Sequence, residues 1–147
     1  VPTMLALDYP DLELIAVNDR SDDTTGDLLE ALAARDPRLR VEHLPGLRPG
    51  WLGKNHALHR GAQRATGRWI LFTDADVRFR PDALRRAIAH AEAAQLDHLA
   101  VVPQLHGRGH LLGIGVAAFS LLFALFLRPW AIPDPRSPSH GGVGAFN

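Results

Sequence analysis

Short apolar runs and amphipathic stretches alternate along the chain, and the alternation predicts most of its elements. Leu12–Val17, "LELIAV", lies between Pro10 and a polar cluster over 18–25, which reads as a strand. From Asp23 to Arg35 the period changes. Leu28, Leu29 and Leu32 share one helical face, acids fill the first turn, and Asp36-Pro37 stops the helix. Leu39–Leu44 sets Leu39, Val41 and His43 against Arg40 and Glu42, the period of a second strand. The loop "PGLRPGWLG" leads into a helix expected over 54–65 and ended near Gly67. Trp69–Thr73 is apolar on both sides, as a buried parallel strand requires. Pro81 opens a helix to about Leu96, and "HLAVVPQL", 98–105, reads as a fourth strand. This strand–helix alternation predicts an α/β fold with a mostly parallel sheet.

Composition changes that picture little. The chain's 147 residues suffice for one domain, and 46% hydrophobic with 22% charged residues is a folded, soluble balance. Net charge is zero, which argues against nucleic acid as a partner. The distribution is uneven, however. Residues 1–42 hold ten acids and four bases, a net −6, and residues 43–147 hold six acids and twelve bases, a net +6. Such a division suits a cleft that receives an anion. With no cysteine there is neither a disulfide framework nor a thiolate metal site. Val1 in place of an initiator Met, and the abrupt "HGGVGAFN" at the other end, make the chain read as an internal fragment.

In parallel sheets ligands sit at the carboxyl ends of strands, and two acidic clusters fall there: "VNDRSDD" and "TDAD". Asp74 and Asp76, one residue apart, point to a common side of an extended chain. Paired oxygen ligands of that kind suit Mg²⁺ or Mn²⁺, above all where the ion also bridges a diphosphate. Two solvated loop acids ahead of a helix would give the same sequence. Lys54 is the chain's one lysine, placed where a helix begins, and a point-charge ammonium there suits phosphate. "GWLGKN" is no P-loop, because six residues separate Gly46 from Gly53 and Asn55 follows the lysine. His56 and His59 share a helix face without a neighbouring carboxylate, which reads as packing or surface.

Together, "LELIAVNDRSDDTTGDLLEAL" and "GWLGKNHALHRGAQRATGRWILFTDADV" resemble the nucleotide-binding half of family 2 glycosyltransferases. The likeness covers roughly residues 5–105 and rests on three motifs in order. It implies the GT-A fold, a three-layer α/β sandwich with a mostly parallel central sheet, here incomplete at both ends. Residues 1–105 would be the nucleotide-sugar-binding half without its first strand. Residues 106–147 would be an acceptor-side segment, with "GGVGAFN" matching the members that act on lipid-type acceptors at membranes.

The activity implied is inverting sugar transfer from a nucleotide-diphosphate donor, UDP-linked, to a lipid or other membrane-proximal acceptor. Residue by residue, Asp19 matches a nucleobase contact, Lys54 the phosphate-side lysine, Asp74 a ribose or second cation contact, and Asp76 the ligand of Mg²⁺ or Mn²⁺. The site would face the cytoplasm. The general base matches no residue here and is expected beyond Asn147. Two departures stand out. Asn18 replaces the family's first Asp, and Arg20 replaces a glycine, losing its freedom at positive φ. Asp19 or Asp22 is expected to cap the following helix, and Asp22, Asp23 and Thr24 read as structural.

Two other readings compete. Haloacid dehalogenase-like phosphatases also end an apolar strand in Asp-x-Asp, but their motif carries Thr or Val where this chain has Arg78. A non-catalytic membrane-associated binding domain would draw on residues 111–127, 17 uncharged positions before Arg128 and Pro129. As a helix they reach about 25 Å, slightly short of a bilayer's hydrocarbon core. An interfacial helix with Arg128 and Trp130 at the headgroups fits best; a buried core helix has the same length.

Overall fold

The computed structural model describes residues 1–104, 110–132, 134, 136–138 and 146. It divides into two compact units, Val1–Asp97 and His98–Asn147.

The first unit is built around a parallel pair of strands. β1, Leu14–Asp19, pairs with β2, Leu39–Leu44, from Leu14 opposite Leu39 to Asp19 opposite Leu44. Before them lies the short α1, Pro2–Leu5, and between them α2, Thr25–Ala33. This strand–helix–parallel strand order is the unit the sequence pattern predicts, and the strand edges shift by at most two residues. α3, Gly53–Arg64, packs on β1. Gly61 allows that approach: a Cβ there would come within 3.2 Å of Val17 Cγ2. α4, Ala83–Ala93, ends in a Schellman turn, with Leu96 N–H donating to the Ala91 carbonyl at 2.8 Å and Gln95 in the left-handed region at φ +52°.

The buried apolar residues Met4, Leu7, Leu29, Leu39, Leu44, Leu84 and Ala91 come from five segments of this unit. Strand β2 departs from strict alternation at its end: Leu39 and Leu44 are buried, whereas His43 is exposed. Its Glu42 instead turns inward to meet Arg60 at 2.5 Å and Arg64 at 2.9 Å, tying α3 to the sheet. The Arg60 hydrogen bond, helped by the Arg64 charge, holds the Glu42 carboxyl below the usual range.

The third and fourth strands expected at Trp69–Thr73 and 98–105 are not formed among the described residues, where the sheet has two strands. Apolar side chains on both faces are necessary for a buried strand, but the strand itself exists only through a neighbour's hydrogen-bond ladder. Residues 69–73 run without one. In the second unit, Val101 N–H donates to the Phe146 carbonyl at 3.1 Å instead of to a sheet neighbour.

Glu13 joins distant parts of the first unit. One carboxylate oxygen accepts from Thr66 N–H at 2.6 Å, Thr66 Oγ1 at 2.9 Å and Gly67 N–H at 3.0 Å, while the other meets Arg40 at 3.3 Å. The Thr66 backbone bond is the main cause of a carboxyl pKa below its ordinary value. The charged form is therefore favoured by folding: its contribution is present above the unfolded pKa and lost as pH falls through the lowered folded one. Glu13→Gln should destabilise the chain by about 1 kcal/mol at neutral pH. Chemical denaturation at pH 7 and pH 3 should show wild type and variant converging at the acidic value; an equal gap at both would contradict this role.

In the second unit α5, His110–Leu127, is followed by Arg128 at φ +51° and a 3₁₀ turn, Pro129–Ala131. Leu112, Ile114, Phe119, Leu121, Leu122, Leu125 and Phe126 are all more than half exposed, so the helix is apolar on every side. Leu112–Ala131 has a mean hydropathy of 1.9, with none of its most apolar window buried, and among the described residues it is the segment long and apolar enough to cross a membrane. The Ser120 hydroxyl, the polar side chain between Leu112 and Leu127, donates back to the Val116 carbonyl at 2.8 Å. Of "GGVGAFN", all but Phe146 falls outside the described residues.

Candidate donor-binding site

The carboxyl end of β1 meets the start of α3, and three of the four residues predicted from sequence are linked there. Asp19 is the last residue of β1. Arg20 follows at φ +60°, so arginine adopts the backbone conformation for which glycine was expected. Its guanidinium folds back on the preceding carboxylate: Nε donates to Asp19 Oδ1 at 2.8 Å and Nη2 to Oδ2 at 3.1 Å. That bond is the chief reason the Asp19 carboxyl sits below its usual range, with the His56 charge adding a smaller part.

Gly53 opens α3 beside this pair. A Cβ at Gly53 would lie 3.1 Å from Asp19 Oδ2 and 3.3 Å from Arg20 Nη2, which puts the start of α3 against this pair. Among the described residues no side chain caps α3, whose N-cap residue is Leu52, which leaves its first-turn N–H groups to an anion. Lys54, the next residue, reaches across to the "TDAD" loop. Its Nζ donates to Asp74 Oδ1 at 2.6 Å, and both side chains are substantially exposed.

Three motifs separated in sequence thus meet: Asp19 with Gly53, and Lys54 with Asp74. Asp76 stands apart. It lies exposed in the turn after Asp74, and among the described residues its carboxylate makes no hydrogen bond or ion pair. No group of three or more metal-ligating side chains occurs among the described residues. Asp74 and Asp76, separated by one residue, nevertheless offer oxygen donors of the kind a hard divalent ion takes alongside phosphate oxygens and water, as Mg²⁺ does.

Some assignments change. The helix entry expected from Asp19 or Asp22 is made by Asp23, whose Oδ1 accepts from Thr25 N–H at 2.9 Å. Asn18 is buried and donates through Nδ2 to His43 Nδ1 on the paired strand at 3.1 Å. His43 Nε2 lies 2.8 Å from Glu30 Oε1, so Asn18 serves the fold here, linking β1 through His43 to α2. Of packing and surface, His56 takes packing. It is buried edge-on against Trp51, with ring centroids 5.8 Å apart, and its Nδ1 has no partner among the described residues. Spacing left packing and surface open, because the Trp51 ring that His56 meets comes from the preceding loop. His59, exposed, lies 4.9 Å from the same Trp51 ring.

Comparison with known proteins decides the family. The family model described as "Glycosyl transferase family 2" matches residues 2–112, which include β1, β2, α3 and both acidic clusters. The chain belongs to glycosyl transferase family 2. It is 38% identical over 112 residues to the "Succinoglycan biosynthesis protein ExoO" of Rhizobium meliloti (strain 1021), covering 74% of this chain and 30% of that protein. It is 33% identical over 97 residues to the "Uncharacterized glycosyltransferase EpsJ" of Bacillus subtilis (strain 168), covering 66% and 27% respectively. The chain thus spans less than a third of the length of these curated relatives. No solved structure gives a significant match. Family membership sets aside the phosphatase reading, and the parallel strand pair with its helices is a partial α/β fold of the GT-A type.

Proposed function

We propose that this family 2 chain forms the donor-binding half of an inverting glycosyltransferase in polysaccharide assembly, taking a nucleotide-diphosphate sugar, UDP-linked, and serving a lipid or other membrane-proximal acceptor. Residues 1–105 would bind the donor and 106–147 would face the acceptor. The observation that carries the reading is the meeting of Asp19, Gly53, Lys54 and Asp74 at one strand end, within the segment matched by the family.

In this mechanism Asp19 takes the nucleobase side, with the start of α3 at Gly53 beside it. Lys54 and the uncapped N–H groups of α3 receive the diphosphate. Asp74 and Asp76 would hold Mg²⁺ or Mn²⁺. The ion, when bound, offsets charge on the departing nucleoside diphosphate. Sugar transfer breaks the bond from the anomeric carbon to the phosphate oxygen as an acceptor hydroxyl attacks from the opposite side. A carboxylate general base takes the hydroxyl's proton.

The second unit supplies the membrane part of the proposal. α5 rises about 27 Å over its 18 residues, close to the hydrocarbon thickness of a bilayer. Its apolar character on every side suits acyl chains, with Arg128 and the exposed Trp130 at the headgroups. The donor site would face the cytoplasm. Calorimetric titration tests the donor reading: UDP should bind in the presence of Mn²⁺ and weaken about tenfold on chelation. Identical isotherms with and without the ion would count against the cation's role, and no binding in either would count against the donor site.

A further inference from the structure

The Lys54–Asp74 contact places a cation on one of the two carboxylates read above as the divalent-ion ligands. We propose that Lys54 is a placeholder: without donor its ammonium neutralises Asp74, and the donor diphosphate draws it away, so that nucleotide binding opens Asp74 to the divalent ion. This rests on the donor-site reading of Asp74 and Asp76.

Three observations carry it. First, Lys54 Nζ lies 2.6 Å from Asp74 Oδ1, and among the described residues it is the one side chain bonded to that carboxylate. An ammonium and a divalent ion cannot share that oxygen's surroundings without strong mutual repulsion. Second, the pair is open to water, with 61% of the Lys54 and 42% of the Asp74 side chain exposed. An ion pair this exposed is weak enough to exchange partners. Third, Lys54 is the second residue of α3, beside N–H groups that no side chain caps. A lysine's flexible stem and rotatable donors let it swing between a carboxylate and an anion held at that helix end, as a planar arginine fork would not. Asp76, exposed and without a partner among the described residues, needs no such release.

The consequence is a linkage. Nucleotide raises ion affinity by removing the competitor, and the ion raises nucleotide affinity by the same factor. This coupling adds to any direct bond between ion and phosphate, and the two can be separated by measuring the ion alone.

The test is Mn²⁺ binding to the chain without nucleotide, followed by electron paramagnetic resonance of the free ion. Lys54→Met should bind Mn²⁺ about tenfold more tightly than wild type, although it binds UDP more weakly. Asp76→Asn in the Lys54→Met background should abolish that gain. Arg78→Met, which removes the same charge two residues beyond Asp76, should leave Mn²⁺ affinity within about twofold of wild type. If Lys54→Met binds Mn²⁺ no better than wild type, or Arg78→Met gains as much, the placeholder is refuted while UDP-dependent ion binding by wild type keeps the donor reading. If wild type binds no Mn²⁺ even with UDP, the reading of Asp74 and Asp76 falls, and the placeholder with it.

Discussion

Asp76→Asn is expected to lower sugar transfer by the complete protein roughly 10²–10³-fold while leaving the thermal unfolding midpoint within about a degree. The residue is exposed, lies in a turn and bonds nothing among the described residues, so the fold loses little when its charge is removed. The reaction loses much more, because charge builds on the leaving diphosphate as its bond to the sugar breaks. Asn keeps the size and one oxygen but holds a divalent ion poorly, so the loss should fall mainly on kcat. A transfer rate within threefold of wild type would mean that the ion is held elsewhere or that none is used.

The second large effect concerns α5. Ala118→Arg puts a charge near the middle of an 18-residue helix at a position already exposed to solvent. In water such a change costs little, since the side chain has room and arginine is a good helix former. In hydrocarbon an arginine at the helix centre costs about 3 kcal/mol, roughly a hundredfold in partitioning. Flotation with anionic phospholipid vesicles should therefore recover wild type and lose the variant, with both showing the same helical signal in solution. Equal flotation would place α5 outside the bilayer, and failure of wild type to float would remove the membrane from the account.

Much of the first unit was legible in the sequence because its signals are local. Periods of two and 3.6 residues, Pro and Gly stops and acidic first turns fixed β1, α2, β2, α3 and α4 to within a few residues. The two further strands were not recoverable in this way. "WILFT" has a strand's composition, but pairing is a property of neighbours, and composition cannot supply one. The candidate site shows the same division. Asp19, Lys54 and Asp74 could be named from motif order, whereas Lys54 donating to Asp74 is a long-range contact that no spacing rule encodes. Glu13 went unnoticed for that reason: its partners at Thr66 and Gly67 lie more than fifty residues away.

Arg20 teaches something different. Its place in the sequence departs from the family pattern, which suggested a changed turn, yet its backbone keeps the positive φ that glycine would provide. The conformation costs an L-residue about 1 kcal/mol, and the bidentate bond to Asp19 offsets part of it. Chain direction at the strand end is thus set by the fold around it, and the residue adapts.

The central claim is that Asp19, Lys54, Asp74 and Asp76 hold one nucleotide-diphosphate donor. The most direct measurement is a UDP titration with Mg²⁺ followed by amide NMR of the chain. Saturable shifts are expected at 18–20, 53–55 and 73–77, with the same dissociation constant at each. Shifts confined to one of those stretches, or spread over residues remote from the β1 end, would contradict it.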